Sequence, residues 1–518
     1  MQKAWQGILW TLLGLALVCA MPSDQSLWLD EGYTAPYAQE GDFRSFVDRI
    51  TADPGSEALR PLGMVSFWLG AKVFGSSEIG LRRVSALWVA VAVILLWRCG
   101  QLLGYPWLPA LLAVHPFVWY YATDARPYTM LIAMGAGVLY ALLAILAGEA
   151  TTDRGLSILV LFGLLLSATD VLGVLLFAAA VAVVAAVLVG RGWRPRRRHL
   201  AAFVVAGVAL ALLGAYYVAT LSRGVETGWE GVWRVSASNL LFAAYEHLGF
   251  AGFGPGRYEL RQAVLGGDLE GVLQTFARPS AIGLPILAGL YLAMLRRLAR
   301  RLRAGREGAS SQLLGAGAVI LLTTAAIFAV SWAARFSFWG RHLAPLCVFV
   351  VLVAVVAAHD PSKRGRSLSP LTLALALAWL ASSLLLRWHD SHRRDDYRAA
   401  SGIALAAAEN GETVWWVASR LCGEYYGLRF CDPFPVPERG LAAIQAASDR
   451  PRQRGRCVVP LESPEAEDLA GLPQADLIVI SRPEFYDHRG AIRTHLTTHA
   501  FTTVDQPTAF QVLRTPAP

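Results

Sequence analysis

Charge is scarce in this chain. Asp, Glu, Lys and Arg make up 16% of the 518 residues and 55% are hydrophobic, whereas soluble domains carry about a quarter charged residues. That balance excludes an ordinary soluble enzyme. Cysteine is sparse as well: there are six, with no CxxC pair and no His-rich ligand spacing, so nothing in the spacing encodes a metal site. No Gly-rich phosphate loop follows the strand-like runs of the tail, which leaves nucleotide binding without support. No internal repeat suggests an inverted-repeat transporter.

What is present is a series of apolar runs, several reaching the ~18–20 residues that a bilayer requires. The chain reads as a polytopic α-helical membrane protein with a more polar tail. A net charge of +8 points to nucleic acid only until its location is considered. Five arginines fall in 191–198 and six in 296–306, and Lys363, Arg364 and Arg366 make a third cluster. All three are short links between apolar runs. That is the pattern of the positive-inside rule, not of a basic groove, so no nucleic-acid partner is expected.

Under that rule the spans are 5–21, 79–103, 105–122, 127–148, 155–169, 171–190, 199–220, 280–296, 312–333, 343–358 and 368–386, eleven in all. The N-terminus is then cytoplasmic and residues 387–518 lie outside. Segment 61–75 is apolar but short and reads as an interfacial or re-entrant helix, because a further crossing would put basic clusters on the outer side. The first run lacks a clear small-x-small cleavage site and is read as a retained anchor. The expected organisation is a transmembrane catalytic domain, 1–386, followed by a small extracytoplasmic α/β domain, 387–518.

In that tail "DDYRAASGIALAAAENGE" has helical spacing and "GLAAIQAAS" reads as a second helix. "TVWWVAS", "CVVPL" and "DLIVIS" read as strands, and "AFTTVDQPTAFQVLRT" as a terminal hairpin. Cys422, Cys431 and Cys457 fall here, in an oxidising space, where one bridge and one leftover thiol is the natural arithmetic. Cys422–Cys431 is the expected pair, with Cys457 the alternative partner.

Three motifs carry chemistry. "QSLWLDEGYTA", residues 25–35, sets Asp30 beside Glu31 just past the first span. A carboxylate at mid-span costs about 2.5–3.5 kcal/mol on insertion scales, so the pair belongs at the water boundary. A solvated loop pair is the plain alternative. "HPFVWYYATDARPYTML", residues 115–131, combines Asp124 and Arg126 with aromatics, and Pro127 suits a helix start. Arg126 beside oriented helix N–H groups suits a phosphate; the alternative is an interfacial belt of Trp119, Tyr120, Tyr121 and Tyr128. His115 is the poorer candidate, falling roughly 180° from Asp124 on a continuous helix. "ARFSFWGRHLAPL", residues 334–346, puts Arg335, Arg341 and His342 at an outer boundary. These break the positive-inside trend and suit either an anionic ligand or an ion pair with the acidic first outer loop.

The ordered set WxDE, YYxxDARPY and RHLAP resembles bacterial integral-membrane glycosyltransferases of the GT-C superfamily. It is similar to the protein O-mannosyltransferases and the aminoarabinose transferase of lipid A. "LRPLGMVSFWLGAKVFGSSEIGLRRVSAL", residues 59–87, looks like their juxtamembrane segment and following helix. The resemblance covers about 5–386 and is strongest in 26–131. Three positions depart from it: His342 replaces a usual aromatic, Asp124 a common Glu, and Arg60-Pro61 a pair of prolines.

The resemblance implies a polyprenyl-phosphate monosaccharide as donor, used on the outer face of a bacterial inner membrane, and a lipid, protein or polysaccharide acceptor. A sugar linked through phosphate already has a good leaving group, so a single general base suffices where glycoside hydrolysis needs two carboxylates. Asp30 would be that base, with Glu31 positioning it or the acceptor. Arg60, Arg126, Arg341 and His342 would hold the departing phosphate, and Asp124 and Tyr128 would contact substrate. The scheme calls for no cofactor and needs no metal; a divalent ion bridging carboxylate and phosphate is the alternative. The alternatives are a surface-polysaccharide polymerase or ligase using a lipid-diphosphate glycan through loop 221–279, and a lipid transporter, for which Asp170 is the nearest mid-membrane carboxylate.

Overall fold

In lipid the backbone must satisfy its own hydrogen bonds, so apolar runs that cross a bilayer become helices. The computed structural model describes residues 2–52, 56–223, 235–256, 259–260, 269–303, 307–359, 368–431, 458–461, 464, 469, 472–487 and 489–515. Among these, nine helices are long and apolar enough to cross a membrane. The helices up to residue 247 are α1 Gln2–Cys19, α2 Leu29–Gln39, α3 Phe43–Ala52, α4 Pro61–Phe74, α5 Glu78–Leu103, α6 Leu108–Ala113, α7 Pro116–Ala122, α8 Tyr128–Ala147, α9 Glu149–Thr169, α10 Gly173–Gly190, α11 Arg197–Leu221 and α12 Ala237–His247. Beyond them run Ala277–Arg303, Glu307–Ala333, Cys347–Ala358 and Pro370–Trp388.

The chain divides into two compact bodies. Met1–Ser23 and Tyr37–His392 form the first; Asp24–Pro36 and Arg393–Pro518 form the second. In the first body α8 is central, with 94% of its apolar window buried, whereas α11 buries only 11% of its own. Val204, Val205, Leu212 and Val218 of α11 are each more than half exposed. Such surface would be unfavourable in water at roughly 25 cal/mol per Å² and is at home against lipid. The protein is a multi-pass membrane protein.

Two expected spans take another form. The run 105–122 is not one helix: α6 and α7 are separated at His115, whose backbone is extended (φ −74°, ψ 128°). Pro116 disfavours the helical conformation in the residue before it, and the His115 ring accepts the Phe117 N–H at 3.2 Å, capping α7. The run 5–21 forms α1, whose apolar stretch Trp5–Cys19 is shorter than the nine, as is α4. The third basic cluster, at 363–366, and the helix expected over "GLAAIQAAS" lie outside the described residues.

The second body is built on a five-stranded sheet of order β2-β1-β3-β5-β4, with β1 Val414–Val417, β2 Val459–Pro460, β3 Leu477–Ser481, β4 Thr502–Asp505 and β5 Phe510–Arg514. β2, β1 and β3 are parallel, and β3-β5-β4 antiparallel. β1 and β3 are buried along their whole length, which is why they read as unbroken apolar runs. Tyr397, Trp415, Trp416, Ile478, Val479 and Val512 make the core, and Leu29 of α2 is part of it.

The expected Cys422–Cys431 bridge is not formed. Cys431 is disulfide-bonded, but Cys422 is a free, buried thiol. It lies under α2, so close that a Cβ on Gly32 would come within 2.1 Å of its sulfur, and burial raises its pKa. Cys457, the alternative partner, lies outside the described residues.

Candidate functional site

In the first body the site grows from the segment leading into α4. Val171 N–H donates to Leu59 O (3.1 Å) and the Tyr216 hydroxyl to Ala58 O (2.7 Å), which ties Ser56–Leu59 to the α9–α10 junction and to α11. That anchoring fixes Arg60, the N-cap of α4, with Pro61 behind it at the first helical position. Arg60 Nε lies 3.0 Å from Asp170 Oδ2 and its Nη1 3.3 Å from Glu57 Oε1. Arg126 Nη1 reaches the same Glu57 oxygen at 2.7 Å. One buried carboxylate thus spaces two buried guanidiniums. Removing one partner of such a pair leaves an uncompensated charge and costs about 3–5 kcal/mol. Asp170, the candidate transporter carboxylate, has its other oxygen on the Leu172 N–H (2.9 Å), in the turn just before α10. Its role here is to hold Arg60.

Tyr128 opens α8 immediately after Pro127, the helix start expected from that proline. The Arg60 guanidinium lies 6.0 Å from its ring centroid and that of Arg341 5.9 Å. Tyr121 meets the ring edge-on at 5.1 Å. The Tyr128 hydroxyl is buried, and it has no hydrogen-bond partner among the described residues. An unsatisfied buried hydroxyl costs about 1–3 kcal/mol, so its place between two cations calls for an explanation. Asp124 is fully buried, and its backbone carbonyl accepts the Ser85 hydroxyl at 2.5 Å.

Arg341 sits in the turn Gly340–Leu346, which has its own cap: His342 Nδ1 accepts the Trp339 N–H at 2.8 Å. Beside it, Glu246 of α12 receives the Tyr121 hydroxyl at 3.4 Å. A Cβ on Gly340 would come within 2.0 Å of the other Glu246 oxygen, so a larger residue there would displace this carboxylate. His115 is elsewhere. With Nδ1 accepting from Phe117, its Nε2 carries the proton and donates to His247 O at 3.1 Å, a structural role. Among the described residues no group of three or more His, Cys, Asp or Glu is arranged to hold a metal ion.

Asp30 and Glu31 lie in the second body, in the first turn of α2. Glu31 is fully buried. Its Oε2 accepts the Trp28 N–H at 3.1 Å, the back-reaching half of a capping box, and stands 3.8 Å from Arg394 Nη1. Asp30 is half-buried. The first body therefore gathers Arg60, Arg126, Tyr128 and Arg341, and the second holds the carboxylate pair. Sequence reasoning missed Glu57, Glu246 and Arg394. Of these only Glu57 left a local signal, three residues before Arg60 in a helical turn.

No protein-family model and no curated protein matches the sequence. The crystal structure of ArnT from Cupriavidus metallidurans bound to undecaprenyl phosphate superposes over 100% of this chain and 99% of its own, at 16% identity and a TM-score of 0.51. The structure of the arabinofuranosyltransferase AftD from Mycobacteria aligns over 100% of this chain and 40% of its own, at 15% identity. Its TM-score of 0.44 is too low to establish a shared fold. At such identities the ArnT likeness speaks to architecture alone: the chain has the fold of that structure.

Proposed function

We propose that this chain is an inverting glycosyltransferase. It would move a monosaccharide from a polyprenyl-phosphate carrier to an acceptor hydroxyl on the outer face of a bacterial inner membrane. The observation that carries the reading is Tyr128: a buried hydroxyl with no hydrogen-bond partner among the described residues, flanked by the guanidiniums of Arg60 and Arg341. A phosphate oxygen supplies the acceptor that this hydroxyl lacks, and the cations match its charge. The ArnT structure of the same fold was solved with undecaprenyl phosphate, the carrier chemistry that this reading requires.

In the reaction the acceptor oxygen attacks the anomeric carbon as the bond from that carbon to the phosphate oxygen breaks. The electron pair stays on the phosphate, and the acceptor proton passes to Asp30. Tyr128, Arg126 and Arg341 would stabilise the charge building on the phosphate, an electrostatic term that is often the largest in such catalysis. Glu57 would hold Arg60 and Arg126 at fixed spacing, so that little reorganisation is needed as charge develops. Asp124, beside Arg126 in sequence, would contact the sugar, and His342 would fix the turn that carries Arg341.

The test is a purified-protein assay with a polyprenyl-phosphate monosaccharide labelled in the sugar, offered with lipid, peptide and polysaccharide acceptors. Transfer with inversion at the anomeric carbon is the expected result. If label moves only from a lipid-diphosphate glycan, the polymerase or ligase reading replaces this one.

A further inference from the structure

The segment that carries the carboxylate pair is stitched to residues almost four hundred positions away, all within the second body. Leu27 N–H donates to the Tyr426 hydroxyl (2.7 Å), and the Ser26 hydroxyl accepts the Arg398 N–H (3.0 Å). Arg398 Nη2 donates to Asp24 O (2.5 Å), and Gly32 closes on Cys422. At the centre is Trp28. The guanidiniums of Arg394 and Arg482 lie 5.4 and 5.6 Å from its ring centroid. Arg394 also faces Glu31, while Arg482 Nη2 is 2.8 Å from Asp395 Oδ1.

Arg482 adopts a left-handed backbone conformation (φ 43°, ψ 66°) between β3 and the short helix Pro483–Tyr486. Non-glycine residues hold such a conformation only where the surroundings over-determine it, and that happens most often at functional sites. The two guanidiniums face two carboxylates, Glu31 and Asp395. A cluster balanced in this way offers little net field to a charged ligand. What it supplies is fixed orientation.

We propose that the second body is the holder of the base. Arg394 is a positioning residue that fixes Glu31, and Glu31 in turn fixes the first turn of α2 and the direction of Asp30. Arg482 seats Trp28, whose N–H completes the grip on Glu31. This rests on the reading of Asp30 as general base. Lysine cannot reproduce the arrangement, because an ammonium is a point charge and lacks the planar fork of arginine.

The experiment uses the full-length protein in nanodiscs and measures kcat, donor KM and thermal midpoint for Arg394→Gln, Arg394→Lys, Glu31→Gln and the Glu31→Gln/Arg394→Gln double variant. Arg394→Gln should lower kcat about ten- to hundredfold with donor KM within about twofold. The double variant should be no slower than the slower single, because both residues act through one contact. Arg394→Lys should recover part of the turnover and still fall at least threefold short of wild type. Losses that multiply in the double variant, or an Arg394→Gln enzyme within threefold of wild type, overturn the proposal. Should Arg394→Gln fail to fold, Arg394→Lys decides alone: full turnover overturns it, and a kcat loss at unchanged KM supports it. Asp30→Asn in the same assay separates the two levels. An inactive Asn variant beside a fully active Arg394→Gln refutes only this inference, and an active Asn variant removes the reading beneath it.

Discussion

Tyr128 is a residue whose contribution to stability and to activity should have opposite signs. Its hydroxyl is buried without a partner among the described residues, so Tyr128→Phe removes an unsatisfied group and should leave the thermal midpoint unchanged or slightly higher. Donor KM should rise about tenfold, the weight of one charge-assisted hydrogen bond. A variant with wild-type donor KM would return Tyr128 to the aromatic belt. Asp30→Asn keeps the size and most of the hydrogen bonding of the side chain but cannot take a proton. Turnover at saturating donor should fall roughly 10²–10⁴-fold, and a rate within threefold of wild type would remove Asp30 as the base. Both residues were singled out from the sequence alone, because each stands in a motif with aromatic and charged company. Glu246 and Arg394 were not: each meets its partners only through the tertiary fold, and neither stands near them in the chain. The cysteines failed for the same reason. Spacing suggested Cys422–Cys431, but the buried side of helix Arg420–Tyr425 turns Cys422 into the core.

Among the elements, α3 is a short amphipathic helix whose start depends on one exposed carboxylate. Asp42 accepts the Ser45 N–H (2.9 Å) and the Ser45 hydroxyl (3.0 Å), and these bonds hold its carboxyl below the ordinary aspartate value of 3.8. Because the folded pKa is the lower one, the cap is fully present above 3.8 and is lost as pH falls through the folded value. Protection of the Phe43–Ala52 amides, taken relative to their intrinsic exchange rates, should therefore fall selectively at pH 3, and Asp42→Asn should abolish that pH dependence while keeping most of the cap. Equal protection at pH 3 and pH 6 in the wild type would count against it. The long helices were visible because twenty apolar residues leave a bilayer no other structure. The break between α6 and α7 was not, because hydropathy counts carbon and ignores the dihedral restriction that Pro116 places on His115. The strands of the second body showed as apolar runs, but their order depends on crossovers that no local pattern records.

For the whole molecule the testable quantity is parity. Nine long apolar helices are present among the described residues, and the expectation of eleven adds α1 and the broken α6–α7 pair. Either odd number places residue 5 and residue 395 on opposite faces; ten would place them on the same face. Reporters fused after Arg198 and after Asp395 should read cytoplasmic and external respectively. An external signal at Arg198 would reverse the orientation on which the outer-face chemistry depends.

Because Ser23 and Tyr37 belong to the first body and the residues between them to the second, the chain passes between the bodies three times: after Ser23, after Pro36 and after His392. The tail is therefore not an appendage that a stop codon could remove. A protein ending at His392 would keep all nine long helices yet deprive Asp24–Pro36 of Arg394, Tyr426 and the core that receives Leu29, and it should be inactive although inserted. Residues 393–518 alone would lack one strip of their own interior and should aggregate, unless a peptide spanning 24–36 is supplied in trans. In the vocabulary of protein engineering, this is a split domain whose smaller fragment is loaned to the membrane portion as a loop, so grafting or shuffling the tail between related chains requires exchanging both pieces together.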